Sequence, residues 1–180
     1  RGIDADLVAR MRDKLTHRGP DDAGLWANAD ATIALGHRRL SILDLSERGR
    51  QPMADPAGRA VLVYNGEVYN FAALRAELTA AGHAFSSDTD TEVILAAYLQ
   101  WGLDCVQRLE GMFAFALFDA RTGELHLARD RLGIKPLVYA LDASGDRLAV
   151  ASEIPALLAD ERIGRDLDPA AAWDYFSYRY

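Results

Sequence analysis

Four polar clusters stand where apolar runs of this sequence stop. Strand ends of that kind are where α/β and α+β scaffolds commonly place their sites. The clusters are Arg38-Arg39 in GHRRLSILD, Asn65-Gly66-Glu67 in LVYNGEVYN, Asp88 and Asp90 in SSDTDTEV, and Arg129-Asp130-Arg131. Their guanidinium, carboxamide and carboxylate groups are of the kind that bind a charged metabolite, a class that the net charge of −7 leaves open. Each cluster also has a plain structural reading. Arg38 or Arg39 can be a solvated strand residue, and Asn65-Gly66 can be a turn. Asp88 or Asp90 can favour the positive end of a helix dipole. Residues 129–131 can form a surface ion-pair run.

Other chemistries find little support. The four histidines, at 17, 37, 83 and 126, are scattered without His-x-x-x-His spacing, and no Cys-x-x-Cys occurs, so no metal site is expected. His17 and His37 read as loop or packing residues. There is no Gly-x-Ser-x-Gly elbow and no phosphate-binding glycine loop. Cys105, the single cysteine, has no motif around it and reads as a small core residue. One thiol forms no internal disulfide, which suits a reducing, cytoplasmic setting. The acidic balance argues against a nucleic-acid binder. No apolar run approaches the roughly 20 residues of a membrane span, and no signal peptide is visible, so no membrane partner is expected.

The elements that must position these clusters alternate in type. The spacing of Leu7, Val8, Met11 and Leu15 predicts a helix over Asp4–Thr16, ended by the loop THRGPDDAG. Thr32–His37 and Arg39–Leu43 read as two short strands or one bent one, and residues 44–59 as a loop. Residues 60–64 read as a buried strand that stops on Asn65-Gly66, the strongest short hairpin signal. Yet a helix follows from Phe71 to Ala81, with Asn70 as N-cap and Gly82 just past its end. That juxtaposition asks what an exposed Asn-Gly-Glu does at the end of a core strand. A second helix opens at SSDTDTEV, with Thr89 and Glu92 at capping-box spacing, and Gly102 closes it. Leu103–Leu109 reads as a short third helix. GMFAFALFD, GELHLARD, PLVYAL and RLAVAS read as strands, turning at Asp119–Gly123 and Asp142–Gly145. Asp168 and Pro169 open a last helix. The order predicts an α+β fold with helices on antiparallel sheets. The first residue is Arg1, and the chain ends inside the apolar-aromatic run Trp173–Tyr180. Both suggest a piece of a longer protein.

Eight motifs then occur in order: HRGPDDAG, GHRRLSILDLS, QPM, YNGEVYN, SDTDTEVIL, LEGMFAFALFD, ARDRLGIKPLVY and ASEIPALL. Together, over about residues 10–160, they resemble the glutaminase domain of glutamine-hydrolysing asparagine synthetases, within the class II glutamine amidotransferases. The resemblance implies an N-terminal-nucleophile hydrolase fold, a four-layer α-β-β-α sandwich of two antiparallel sheets. It implies that Asn65 and the Gly66 backbone N–H form an oxyanion hole. It implies that Arg39 pairs with the α-carboxylate of glutamine, that the backbone of Leu40, Ser41, Ile42 and Leu43 lines the pocket, and that Glu67 and Asp90 hold its α-ammonium. Asp90 is preferred to Asp88 because DTEV matches the family pattern. ARDRLGIKPLVY is expected to be architectural.

The resemblance further implies that residues 1–160 form the amidotransferase domain, and that 161–180 are a linker and the start of a synthetase domain of the same chain. That domain would use ATP and Mg²⁺, with no cofactor in this one, to turn aspartate into asparagine. A homodimer is compatible with this reading. The family's nucleophile is an N-terminal cysteine on a first core strand, whose own α-amine, with an ordinary pKa near 7.7–8.0, shuttles the proton. Arg1-Gly2-Ile3 is not that strand, since it runs straight into the first helix. The expectation is that the natural protein begins upstream with Met-Cys-Gly, and that the chain as given binds glutamine poorly, hydrolyses none and leaves a strand edge unpaired. The alternatives are a related amidotransferase acting on another carboxylate acceptor, and a non-catalytic glutaminase-like scaffold.

Overall fold

A computed structural model describes residues 2–40, 46–142 and 144–179. Its first helix, α1 (Ala5–Asp13), is capped by Asp4, whose side chain accepts from the Asp6 N–H. The apolar spacing runs on to Leu15, but the helix stops at Asp13. There Leu15 N–H and Thr16 N–H turn to carbonyls three residues back, tightening the chain into turns. The following loop is tied down at a distance: Arg18 and His17 both reach Glu153, 135 and 136 residues later.

β1 (Asp22–Ala27) and β2 (Ala34–Arg39) form an antiparallel hairpin with Asp22 opposite Arg39. β1 begins inside the stretch expected to be a loop. Its Asp, Ala and Gly are poor strand formers, and pairing with β2 decides the matter. The hairpin loop closes on Asn28, whose Oδ1 accepts from the N–H groups of Thr32 and Ile33 at 2.9 Å. β2 runs unbroken from Ala34 through His37 to Arg39 and does not include Leu40; the rest of the expected second strand, residues 41–43, lies outside the described ones.

β3 (Met53–Ala54), β4 (Ala60–Val68), β5 (Gly111–Asp119) and β6 (Glu124–Arg129) form a four-stranded antiparallel sheet in that order. The two-residue β3 falls within the expected loop. β4 does not stop at Tyr64. Asn65, Gly66, Glu67 and Val68 continue it, opposite Ala114, Phe113, Met112 and Gly111. A hairpin turn at Asn65-Gly66 would need positive φ, and neither residue has it. The long partner strand β5 pairs along the whole segment and keeps it extended.

Alternate residues of this sheet serve opposite faces. Leu62, Tyr64, Phe113, Phe115 and Leu117 belong to the main core, under helices α2 (Phe71–Ala80) and α3 (Asp90–Trp101). Val61, Ala116 and Phe118 join Leu35 of β2 in a smaller core on the other face. α2 ends as expected on Gly82, at φ 96°, with His83 N–H to Leu78 O and Gly82 N–H to Thr79 O, a Schellman arrangement. At its start Asn70 does not cap through its side chain, which instead bonds Arg108 O and Glu110 N–H. α3 is capped by Thr89, which accepts from Glu92 N–H. Glu92 reaches past Thr89 to the N–H groups of Ser86 and Ser87. The third helix is shorter than expected, α4 (Cys105–Arg108) after one 3₁₀ turn. Cys105 is buried there, and burial pushes its thiol pKa up to about 11.

A second hairpin, β7 (Val138–Leu141) with β8 (Leu148–Ala151), precedes α5 (Ile154–Leu157), which packs on it and on α1. The result is four layers: α2 and α3, the four-stranded sheet, the two hairpins, then α1 and α5. The second β layer is divided, since β1–β2 and β7–β8 do not pair with each other. α6 (Pro169–Tyr178), capped by Asp168, has no buried residue, and Trp173 and Phe176 are exposed. Among the described residues no helix is long and apolar enough to cross a membrane.

Candidate functional site

A cleft of about 1490 Å³ opens between the four-stranded sheet and the hairpins. It exceeds the roughly 300–1,000 Å³ of ordinary small-molecule sites. At one end it is lined by Arg39, Asn65, Gly66, Glu67 and Asp90. Its lining also takes in Leu35 of β2, Leu125 of β6, and Ala149 and Val150 of β8.

Arg39 ends β2 with its side chain turned inward, and the residue is only 8% exposed. Its Nη1 donates to the Ser46 carbonyl at 2.9 Å. Gly49 lies against the guanidinium and the Thr89 methyl, so a Cβ there would overlap the Arg39 side chain. The glycine is what lets the loop close over the arginine. Leu40 is exposed at the cleft wall. The expected contributions of Ser41, Ile42 and Leu43 lie outside the described residues.

Asp90 is the first residue of α3, where the helix dipole favours its charge. It is 5% exposed, and its Oδ2 accepts from the Tyr64 hydroxyl at 2.7 Å and from Val68 N–H at 3.0 Å. Burial, and then the Asp90 carboxylate, hold the Tyr64 phenol far above its ordinary pKa, so it stays a donor. Oδ1 of Asp90 accepts no hydrogen bond from the described residues. Asp88 is different: its side chain is 92% exposed and lies 3.5 Å from Arg75, away from the cleft. Glu67, two residues beyond Asn65, is exposed at the cleft's edge.

Asn65 carries the sharpest signal. Its Nδ2 is buried and has no hydrogen-bond partner among the described residues. Buried amide donors are nearly always satisfied, so one left over in a cleft marks a place for an acceptor. Gly66 has a packing reason of its own. A Cβ would overlap the Met112 carbonyl and lie 2.7 Å from Phe113 Cα.

The remaining clusters are structural. Arg38 donates to Gly19 O at 2.9 Å. Residues 129–131 do not pair with one another as a surface run would. Asp130 is buried and accepts from the N–H groups of Phe113, Leu132, Ile134 and Lys135, which shapes the loop after β6. These bonds lower its carboxyl pKa against the opposing pull of desolvation, the largest single influence.

Three residues beyond the expected set hold the site. Gln51 is buried; its Oε1 accepts from Tyr64 N–H at 2.6 Å and its Nε2 donates to Thr91 Oγ1 at 3.3 Å. His37 places Nε2 3.1 Å from the Tyr64 carbonyl. Tyr64 thus joins β2, the loop before β3, and α3. The period-two pattern of β4 puts Tyr64 on a face. Nothing in the spacing of Gln51 or His37 marks them as its partners.

A family model described as a glutamine amidotransferase domain matches residues 2–180. The chain is 43% identical over 169 residues to "Asparagine synthetase [glutamine-hydrolyzing] 3" of Bacillus subtilis (strain 168), covering 93% of this chain and 27% of that protein. It is 42% identical over 147 residues to "Amidase chry2" of Gibberella zeae, covering 82% of this chain and 22% of that protein. The chain therefore spans about a quarter of the length of the curated relatives it matches. Among solved structures, glutamine phosphoribosylpyrophosphate amidotransferase from B. subtilis superposes with TM-score 0.71 at 24% identity, covering 86% of this chain and 40% of that one. That likeness establishes the fold, an N-terminal-nucleophile hydrolase sandwich, in keeping with the four layers. The chain belongs to the glutamine amidotransferase domain family.

Proposed function

We propose that this domain binds glutamine and hydrolyses its side-chain amide, supplying ammonia to an ATP-dependent synthetase domain of the same polypeptide that converts aspartate to asparagine. The observation that carries the reading is the unpartnered Asn65 Nδ2 in a cleft that also holds Arg39, Glu67 and Asp90. A cation and two anions at one end suit the carboxylate and ammonium of a free amino acid. An amide donor fixed before reaction suits the negative charge of a tetrahedral intermediate.

The nucleophile would be a cysteine on a segment preceding Arg1. Its thiolate attacks the glutamine side-chain carbonyl, the C–N bond breaks as the leaving nitrogen takes a proton from the cysteine's own α-amine and departs as ammonia, and water hydrolyses the thioester to glutamate and the free thiol. The divided second β layer supports a further strand there, because both hairpins line the one cleft without pairing with each other. ATP and Mg²⁺ would be held by residues beyond this chain. α6, with no buried residue and with Trp173 and Phe176 exposed, suits the crossing into a further domain.

The test is ammonia release from glutamine by the full-length protein. Asn65→Ala should lower kcat, and Arg39→Ala should mostly raise KM. Unchanged activity in both would defeat the assignment, and no hydrolysis by the unmodified protein would favour a scaffold. The match to a relative named an amidase favours keeping a second acceptor in view. An acceptor screen with ammonia and ATP separates aspartate from other carboxylates.

A further inference from the structure

Two buried polar atoms of the described residues lack a hydrogen-bond partner, and both line the same cleft: Asn65 Nδ2 and His37 Nδ1. They are also neighbours through the backbone. The His37 ring meets the carbonyl of Tyr64, and Asn65 is the next residue of β4. The period of two puts Asn65 on the face of β4 that carries Val61 and Val63, the face turned to β2.

Their chemistry is complementary. A carbonyl only accepts, so Nε2 of His37 carries the hydrogen and donates to Tyr64 O. Nδ1 is then a lone pair, an acceptor in want of a donor. Burial, the largest influence, pushes the His37 pKa down to about 4, so the ring stays neutral at physiological pH. Asn65 Nδ2 carries two hydrogens, one more than an oxyanion needs.

Resting on the glutaminase reading above, we infer that His37 is a positioning residue for amide hydrolysis: a bridging water donates to its Nδ1 and accepts one N–H of the Asn65 carboxamide, leaving the other N–H for the oxyanion. A water between them meets the minimum of two polar partners. The link would hold the carboxamide in one rotamer beside the substrate.

The test uses the full-length protein and two variants that divide the imidazole's roles. His37→Gln keeps a donor near the Nε2 position, toward Tyr64 O, and has nothing at Nδ1. His37→Asn puts an acceptor oxygen near Nδ1 and gives up the grip on Tyr64. The expected result is a kcat for His37→Gln roughly tenfold or more below wild type, short of the roughly 10²–10³ seen when an oxyanion donor is removed outright. The KM for glutamine should stay within about twofold, with substantial recovery of kcat in His37→Asn. In an Asn65→Ala background, His37→Gln should cost nothing further. A wild-type kcat in His37→Gln, independent losses in the double variant, or His37→Asn as the weaker enzyme would overturn the inference. The last order is what a residue serving only Tyr64 would give. The ¹⁵N resonance of His37 Nδ1 supplies a second readout that needs no turnover. It should move on Asn65→Ala, and an unmoved resonance refutes the link. A wild-type protein that releases no ammonia would instead sink the glutaminase reading itself.

Discussion

Removing one oxygen from Tyr64 should cost both stability and substrate affinity. The Tyr64 hydroxyl donates to Asp90 Oδ2 at 2.7 Å, between two residues each only 5% exposed. Phe in its place keeps the ring and its packing, so almost all of the effect is the lost bond. A hydrogen bond to a buried charge is worth about 1.5–3 kcal/mol. Asp90 would keep Val68 N–H as its remaining partner on that oxygen. For a domain of this size, about 2 kcal/mol corresponds to a fall of roughly 4–8 °C in Tm. Tyr98→Phe is the internal control. Tyr98 donates to Asp119 at 2.8 Å, but Asp119 also accepts from the Arg121 backbone N–H, Nε and Nη2. Its carboxylate stays tied without the phenol, and the loss should be nearer 0.5–1.5 kcal/mol. Calorimetry on both variants gives the comparison. In the full-length protein only Tyr64→Phe should raise the glutamine KM, by about tenfold if 1.4 kcal/mol of ammonium binding is lost. If Tyr64→Phe melts no lower than Tyr98→Phe and leaves KM unchanged, Asp90 is not held in place by Tyr64, and the reasoning fails.

Gly66→Ala should destabilise by about 1–3 kcal/mol, because its Cβ enters the space of the Met112 carbonyl and Phe113; an unchanged urea midpoint would show that β4 and β5 can part at no cost. Asp160 has its carboxyl pKa lowered to about 2, chiefly by its bond to the Arg162 side chain. The stability it contributes is full above its ordinary value of 3.8 and is lost as pH falls toward 2, so Asp160→Asn should flatten that part of the acid limb. His37 acts in a higher window: its pKa is lowered from 6.5 to about 4 by burial, so its contribution is full above pH 6.5 and declines toward pH 4. His37→Gln should remove that decline and leave the one below it, read from denaturation midpoints across the pH series.

What could be read from the chain tracks how local the cause is. α2 and α3 announce themselves through caps and terminal glycines within a few residues, and Thr89, Glu92, Gly82 and Gly102 stand where expected. β5 announces itself by its run of apolar residues. β1 does not, because Asp22, Ala23 and Gly24 form a strand only by pairing with His37, Arg38 and Arg39, which is a property of the partner. The stop expected at Asn65-Gly66 fails for the same reason: the hairpin signal is local, and the nine-residue pairing with β5 overrides it. Of the site, Arg39, Asn65, Glu67 and Asp90 carry charges or amides whose types speak for themselves. Gln51 and His37 carry no such mark, because their partner is a backbone group some distance along the chain.

That partner is Tyr64, and the reason it needs them lies in the sheet. β3 pairs with β4 only at Leu62 and Val61, so on that edge the N–H and C=O of Tyr64 have no strand beside them among the described residues. Backbone groups buried without partners are costly, and two side chains stand in for the missing strand: Gln51 Oε1 accepts the N–H and His37 Nε2 serves the carbonyl. The Tyr64 hydroxyl then fixes Asp90. Chain segments around residues 37, 51 and 90 are thereby joined at one position, directly before Asn65 and Gly66. A short edge strand is the device that brings β2, the loop before β3 and the start of α3 to a common point. The cation, the amide donor and the carboxylate reach the same cleft because each sits beside a bond to that residue.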